Sequence, residues 1–371
     1  VNIKRYGSVA AVALAGGLVL SSCAANEPAA GGGGGATGGA EPTGEQLEGT
    51  IDGVGATSQG SAQEAWVASF LEQQPGVVIN YDPQGSGAGR EGFLAGAADF
   101  AGSDRAFDEE ELAAGGWAGC APDSGIVELP LYISPIAVAF NLEGIETLNL
   151  DAATIAGIFA GEITEWNDEA IASQNPDVEL PDLPVSPVHR SDDSGTTENF
   201  TEYLAAAAPD VWTYEPDGLW PFEGGEAADG TSGVIDAITG SEGLIGYADA
   251  SRAEGLGTVS VQVGDEYVAY SPESAAAVVD ASPFAEGRTE GDLAIEIDRT
   301  SEEAGVYPIV LVSYLIGCEQ YADAEVGPLV KSYFSYIASE EGQQTAADAA
   351  GSAPISADLR TQIEAAIELI Q

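Results

Sequence analysis

The stretch His189-Arg190-Ser191-Asp192-Asp193-Ser194-Gly195-Thr196-Thr197 follows the apolar run Leu183 to Val188 and precedes the amphipathic Glu198-Asn199-Phe200-Thr201-Glu202-Tyr203-Leu204. That order reads as strand, tight glycine-containing turn, helix. A helix starting here presents four backbone N–H groups without intrahelical acceptors, at the positive end of its dipole. Ser and Thr hydroxyls beside those groups, with an arginine at the strand end, make a site for a tetrahedral oxyanion.

The same grammar recurs upstream. Leu47 to Val54 reads as a first strand running into Gly55-Ala56-Thr57-Ser58, and Ser61-Ala62-Gln63-Glu64 has the spacing of a capping box before a helix with Trp66, Phe70 and Leu71 on one face. Val77 to Tyr81 is a second strand, followed by Gly85-Ser86-Gly87-Ala88-Gly89-Arg90. Asp99 to Ala101 is a third, ending at Ser103-Asp104, with Asp108 capping the next helix. Strands alternating with helices predict an α/β fold with a largely parallel sheet. Ligands of such sheets bind beyond the carboxyl ends of the strands. The long apolar run Ile126 to Phe140 can leave one lobe and enter another, and Tyr307 to Ile316 is a candidate return. Between them the sequence predicts helices over 151–159 and 233–238, a strand over 243–247 and a hairpin over 259–270. Helices over 326–338 and 357–370 end the chain.

The 371 residues carry 61 Asp and Glu against 10 Lys and Arg, a formal charge of −51. That excludes nucleic acid and anionic lipid surfaces as partners. It does not exclude a small anion, because screening confines surface charge to roughly 8 Å and local donors dominate inside a closed cleft. Lys4 and Arg5 precede an apolar stretch from Val9 to Leu20, too short to span a membrane as a stable helix, and then Leu20-Ser21-Ser22-Cys23. Residues 1–22 are therefore expected to be an export signal. Its end resembles a bacterial lipobox, which implies cleavage before Cys23 and lipidation of that sulfur; an ordinary secretory signal with an incidental cysteine is the alternative. Residues 23–46, rich in Gly and Ala, are expected to be a flexible tether. In an exported chain, Cys120 and Cys318 favour a disulfide over a buried free pair. Neither has metal-ligand spacing and the chain has one histidine, so neither a metal nor a cofactor is expected.

Candidate ligands sit where strands open onto helices: Thr57-Ser58, Gly85-Ser86, Ser103-Asp104 and Arg190 through Thr196. Taken alone, each Ser or Thr reads first as a helix cap; four such turns in a chain with few cations point to one site. The run Gly87-Ala88-Gly89-Arg90-Glu91-Gly92 fits a dinucleotide fingerprint, a weak signal taken alone, and the following strand ends at Ser103-Asp104 with a helix cap behind it in an exported chain. His189 could serve Ser194 as a base, but alternation on a strand turns it away from Arg190, and no G-x-S-x-G elbow is present.

These ordered motifs resemble the phosphate-binding lipoproteins of bacterial Pst phosphate ABC transporters. The resemblance is carried also by Asp99-Phe100-Ala101-Gly102-Ser103-Asp104, by Ile158-Phe159-Ala160-Gly161-Glu162-Ile163-Thr164-Glu165-Trp166-Asn167-Asp168, by Gly246-Tyr247 and by Tyr307-Pro308-Ile309. It implies a two-lobed periplasmic-binding-protein-like fold of type II. Residues 47–130 with 308–371 would form one lobe and 131–307 the other, with two crossing segments as the hinge and the ligand cleft between. It further implies that the phosphate ligands are Thr57, the Ser58 N–H, Ser86, Asp104, Arg190, Ser194, the Gly195 N–H and Thr196, with Asp192 orienting the arginine. Many members have Phe-Pro where this chain has Ser58-Gln59, which makes that wall more polar.

The implied protein is not an enzyme. It is a monomer on the outer face of the cell membrane, held by its lipid anchor, which passes inorganic phosphate to the membrane permease subunits. Asp104 as a carboxylate can only accept. It would take the proton of phosphate and reject sulfate, which has none to give. A binder of another protonated oxyanion such as arsenate, a secreted phosphate-ester hydrolase and an acidic surface adhesin are the alternatives.

Overall fold

The fold begins with strands and helices in alternation: β1 (Gly49–Gly55), α1 (Gly60–Gln73), β2 (Val77–Asp82), α2 (Ser86–Leu94), β3 (Phe100–Ser103) and α3 (Glu109–Ala114). The computed structural model describes residues 46–371. The expected leader, the expected lipidation residue Cys23 and the expected tether up to residue 45 lie outside the described residues. β1 is central here and pairs in parallel with both β2 and β3. Phe100 at the start of β3 packs edge-on against Tyr333 and Phe334, and the Trp66 indole N–H of α1 donates to the Gly342 carbonyl. Sequence-distant helices thereby seal this half.

The apolar run becomes a single strand, β4 (Ile126–Phe140), buried along its whole length. Beyond it come β5 (Thr147–Leu150), α4 (Ala152–Phe159), α5 (Glu169–Ala172), β6 (Ser186–Arg190), α6 (Gly195–Ala207), β7 (Glu226–Ala228), α7 (Gly230–Gly240) and β8 (Leu244–Asp249). The hairpin of β9 (Gly257–Val263) and β10 (Glu266–Val268) follows, then α8 (Pro272–Ala281). The chain returns through β11 (Val310–Cys318) and ends in α9 (Val326–Ala338), α10 (Glu340–Ala350) and α11 (Ala357–Ile367).

Sheet order is β2-β1-β3-β11-β4-β8-β6-β7, with β9 pairing β4 and carrying β5 and β10 beside it. The expectation of a largely parallel sheet needs correction. β4 runs out from the first lobe and β11 runs back, so they pair antiparallel over nine residue pairs, and β11 with β3 and β4 with β8 are antiparallel too. Parallel pairing is kept within the two halves, between β1 and its neighbours and between β6 and its neighbours. The result is a two-lobed α/β fold around one curled mixed sheet.

Two local expectations also differ. α1 starts at Gly60 with Gln59 at the cap position and no side-chain cap, so Ser61 and Glu64 do not form a capping box. The Gln59 side chain is fully buried instead and points across to β11. α10 fills what reads as a linker between the last two expected helices, and it docks on α1 through the Gly342 contact. Asp108 does cap α3, in a reciprocal box with Glu111. Among the described residues no helix is long and apolar enough to cross a membrane.

Cys120 and Cys318 are bonded, with Cα atoms 5.4 Å apart and a sequence separation of 198. The bond joins the end of β11 to the turn after α3 and closes a loop through the whole second lobe. Cross-links over loops of this size remove much of the unfolded chain's entropy. Reduction, or the Cys120→Ser/Cys318→Ser pair, should therefore cost about 2–5 kcal/mol. Calorimetric melting with and without reductant checks this, and equal midpoints would show that the bond contributes nothing.

Candidate functional site

Four helix N-termini, those of α1, α2, α6 and α7, open at the carboxyl ends of β1, β2, β6 and β7. Glycine makes two of these approaches possible. A Cβ on Gly55, at φ +155°, would lie 2.0 Å from the Gly102 carbonyl oxygen, and one on Gly85, at φ +106°, 2.7 Å from Asp192 Oδ2. The first contact binds the turn after β1 to the end of β3; the second lets the α2 turn press on the turn after β6.

The residues singled out in sequence are brought together here. Ser58, Ser86, Asp104, Arg190, Ser194 and Thr196 are each no more than 3 % exposed, and Thr57 is half-buried. Thr196 Oγ1 donates to Asp104 Oδ2 at 2.8 Å across the lobes. Ser58 Oγ donates to Asp104 Oδ1 at 2.6 Å, and Asp104 N–H donates to Ser86 Oγ at 3.1 Å. A Cβ on Gly195 would fall 2.7 Å from Asp104 Cβ and 2.8 Å from Ser86 Oγ, so only glycine fits at this helix start.

Hydroxyl direction follows from these partners. Ser86 Oγ accepts from Asp104 N–H, and Ser194 Oγ accepts from Thr197 N–H at 3.2 Å. Each hydroxyl has one proton, and in both cases that proton stays free to donate. Arg190 commits Nε to Asp192 Oδ1 at 2.7 Å and Nη2 to Asp192 Oδ2, leaving its Nη1 edge for an anion. Gly230 N–H also donates to Asp192 Oδ1, at 3.1 Å. Burial works against the Asp192 charge, but Arg190 and the Gly230 N–H hold its carboxyl below the ordinary value. Two other arginines nearby are spent. Arg105 grips Glu111 with both terminal nitrogens and reaches Glu198 at 2.9 Å, while Arg90 faces Ser103, Glu111 and Asp193.

Two readings resolve at this point. The dinucleotide-like glycines lie in α2, where Gly89 packs on the backbone of Val54, Gly55 and Gly102 and Gly87 on Asp193. His189 stacks on Trp220 and turns its ring nitrogens to the Arg190 and Gly224 carbonyls, away from Ser194. Thr231 was missed: its N–H donates to Thr57 Oγ1 at 3.2 Å and the two hydroxyls lie 2.9 Å apart. The signal was present, since Asp229-Gly230-Thr231-Ser232 after β7 has the same strand, turn and helix order. Ser313 Oγ, also unforeseen, donates to Asp104 Oδ1 at 2.6 Å.

A family model described as the PBP superfamily domain matches residues 40–341. The chain is similar to Phosphate-binding protein PstS 3 of Mycobacterium tuberculosis, 33% identical over 382 residues that cover 100% of both chains. It is 32% identical to PstS 2 of the same organism over 385 residues, again covering 100% of each. In fold it is similar to a high-affinity periplasmic phosphate-binding protein solved with phosphate bound, with a TM-score of 0.68 and 23% identity over 85% of this chain and 93% of that one. A phosphate-binding protein from Stenotrophomonas maltophilia gives a TM-score of 0.65 and 19% identity over the same shares.

A carboxyl held below its unfolded value adds stability above that value and loses it as pH falls through the folded one. Asp192→Asn should therefore cost about 2 kcal/mol at neutral pH. The gap to wild type should close as pH drops below 3.8, the ordinary Asp value. Thermal melting across pH 2.5–7 reads this, and a constant gap would remove the ion pair as its cause.

Proposed function

We propose that this chain, which belongs to the PBP superfamily and within it to the phosphate-binding proteins of the Pst transporter family, captures inorganic phosphate between its lobes and delivers it to an ABC importer. It is a binding protein and not an enzyme. Support for the ligand comes from chemistry as well as kinship. The cluster joins an arginine, hydroxyls with directed protons and helix N–H groups to a single carboxylate, the donor-rich and acceptor-poor balance suited to a protonated oxyanion.

Asp104 carries the reading. It is buried, it accepts from three hydroxyls and it faces the donors of the opposite lobe. Phosphate at neutral pH keeps at least one proton and can donate it to Oδ2 in place of Thr196. Thr196 would then turn to another ligand oxygen, as would Thr57 and Thr231, whose hydroxyls bond each other in the structure. Sulfate has no such proton and would set an anionic oxygen against the carboxylate. Charge-assisted hydrogen bonds contribute about 1.5–3 kcal/mol each, so one bond lost and one repulsion gained separate the two anions widely.

In this account Thr57, the Ser58 N–H and Ser86 act from the lobe of residues 47–130 and 308–371. Arg190, Ser194, the Gly195 N–H and Thr196 act from the lobe of residues 131–307. β4 and β11 are the hinge on which the lobes close. Thr231 joins as a ligand opposite Thr57. Cleavage before Cys23 and lipidation there would hold the monomer at the outer membrane face, within reach of the permease subunits that recognise the closed form.

Titration calorimetry with phosphate, arsenate and sulfate tests the proposal. One phosphate should bind per chain and sulfate weakly or not at all. Asp104→Asn should weaken phosphate and narrow its lead over sulfate. Arg190→Ala should lose the most affinity among the single changes. Equal affinity for sulfate and phosphate in wild type would sink the ligand assignment, and an Arg190→Ala protein with unchanged affinity would move the site elsewhere.

A further inference from the structure

Ser313 lies in the middle of the fully buried β11, where the register with β4 shifts between Ser313 and Tyr314. Bulges of this kind re-aim side chains. The Ser313 hydroxyl is turned to Asp104, in front of a buried file of polar groups that runs through the first lobe. Tyr333 OH donates to Gln63 Oε1 at 2.8 Å, and Gln63 Nε2 donates to Gln59 Oε1 at 2.9 Å. Gln59 Nε2 then donates to the Tyr314 carbonyl at 3.2 Å and to Ser313 Oγ at 2.6 Å.

The direction of this file is fixed at both ends. A backbone carbonyl can only accept, so the Tyr314 contact decides which end of the Gln59 amide faces β11. Ser313 therefore receives a proton from Gln59 and has its own to give, and Asp104 Oδ1 stands 2.6 Å away to take it. Ser58 delivers a second proton to the same oxygen at 2.6 Å. Oδ1 is filled by two donors from the first lobe, and Oδ2 alone is turned to the other lobe, where Thr196 meets it.

We infer that Ser313, backed by Gln59, is a positioning residue that sets anion selectivity by fixing Asp104 as an acceptor with only Oδ2 open to the ligand. Without the Ser313 proton the carboxyl is free to turn, which takes Oδ2 off the ligand's protonated oxygen and relieves its repulsion of a fully ionised oxyanion. The inference rests on the reading of Asp104 as acceptor for the proton of phosphate. It explains the polar Ser58-Gln59 pair, since one residue feeds Oδ1 directly and the other feeds it through Ser313.

The test is titration of the full chain with inorganic phosphate and with sulfate, for wild type, Asp104→Asn, Ser313→Ala and the isosteric pair Ser313→Thr and Ser313→Val. Ser313→Ala should keep phosphate binding while its phosphate-over-sulfate ratio falls roughly ten- to a hundredfold, the weight of one hydrogen bond to a charged group. Thr and Val crowd the strand alike and differ in the hydroxyl, so Thr should hold a high ratio and Val should lose it, whatever either does to melting. An unchanged ratio in Ser313→Ala, or the same ratio in the Thr and Val variants, overturns the role of Ser313. Loss of selectivity in Asp104→Asn with none in Ser313→Ala removes this inference and leaves the phosphate reading standing. A wild type that takes up no phosphate removes both.

Discussion

A buried hydroxyl has one proton, and the cleft is organised by where each of those protons goes. Ser86 and Ser194 accept backbone N–H groups, so their own protons stay free to donate. Ser58 and Ser313 give theirs to one oxygen of Asp104. The second assignment is nonlocal: it depends on β11 lying beside β3, on the irregularity at Ser313 and on α1 carrying Gln59 into the interior. Leaving any of these polar groups unsatisfied at such depth costs about 1–3 kcal/mol, so the fold and the pattern of donors stabilise each other.

That constraint also accounts for an anion site in so acidic a chain. The formal charge of −51 belongs to the chain as a whole, whereas the side chains bonded to the Asp104 carboxylate are neutral hydroxyls. Arg90 and Arg105, which could compete for the anion, are held by Glu111, Asp193 and Glu198. Arg190 faces a partner on one edge only, so the cluster has one directed cationic edge rather than a diffuse positive field. Selectivity then lies in hydrogen-bond direction, which salt does not screen.

Much of this was legible in the sequence. The turns holding Thr57, Ser86, Asp104 and Arg190 to Thr196 are local patterns of glycine, hydroxyl residues and flanking apolar runs, and the structure gathers them. The two long apolar runs are the strands that cross between lobes, and their antiparallel pairing follows once one is seen to lead out and the other back. Other features had no local signature. Ser313 is a single serine in an apolar run and reads as a tolerated core serine. Gln59 lies two residues before the expected cap Ser61, and only the position of β11 reveals its partner. Thr231 did carry the signature, in a strand only three residues long.

The central claim, that Asp104 accepts a proton from its ligand while two serines occupy its other oxygen, is tested most directly by neutron diffraction from deuterated crystals grown with phosphate. The account predicts deuterons on Ser58 and Ser313 aimed at Oδ1, and a ligand deuteron lying between phosphate and Oδ2. A deuteron bonded to Asp104 and directed at an unprotonated phosphate oxygen would contradict it.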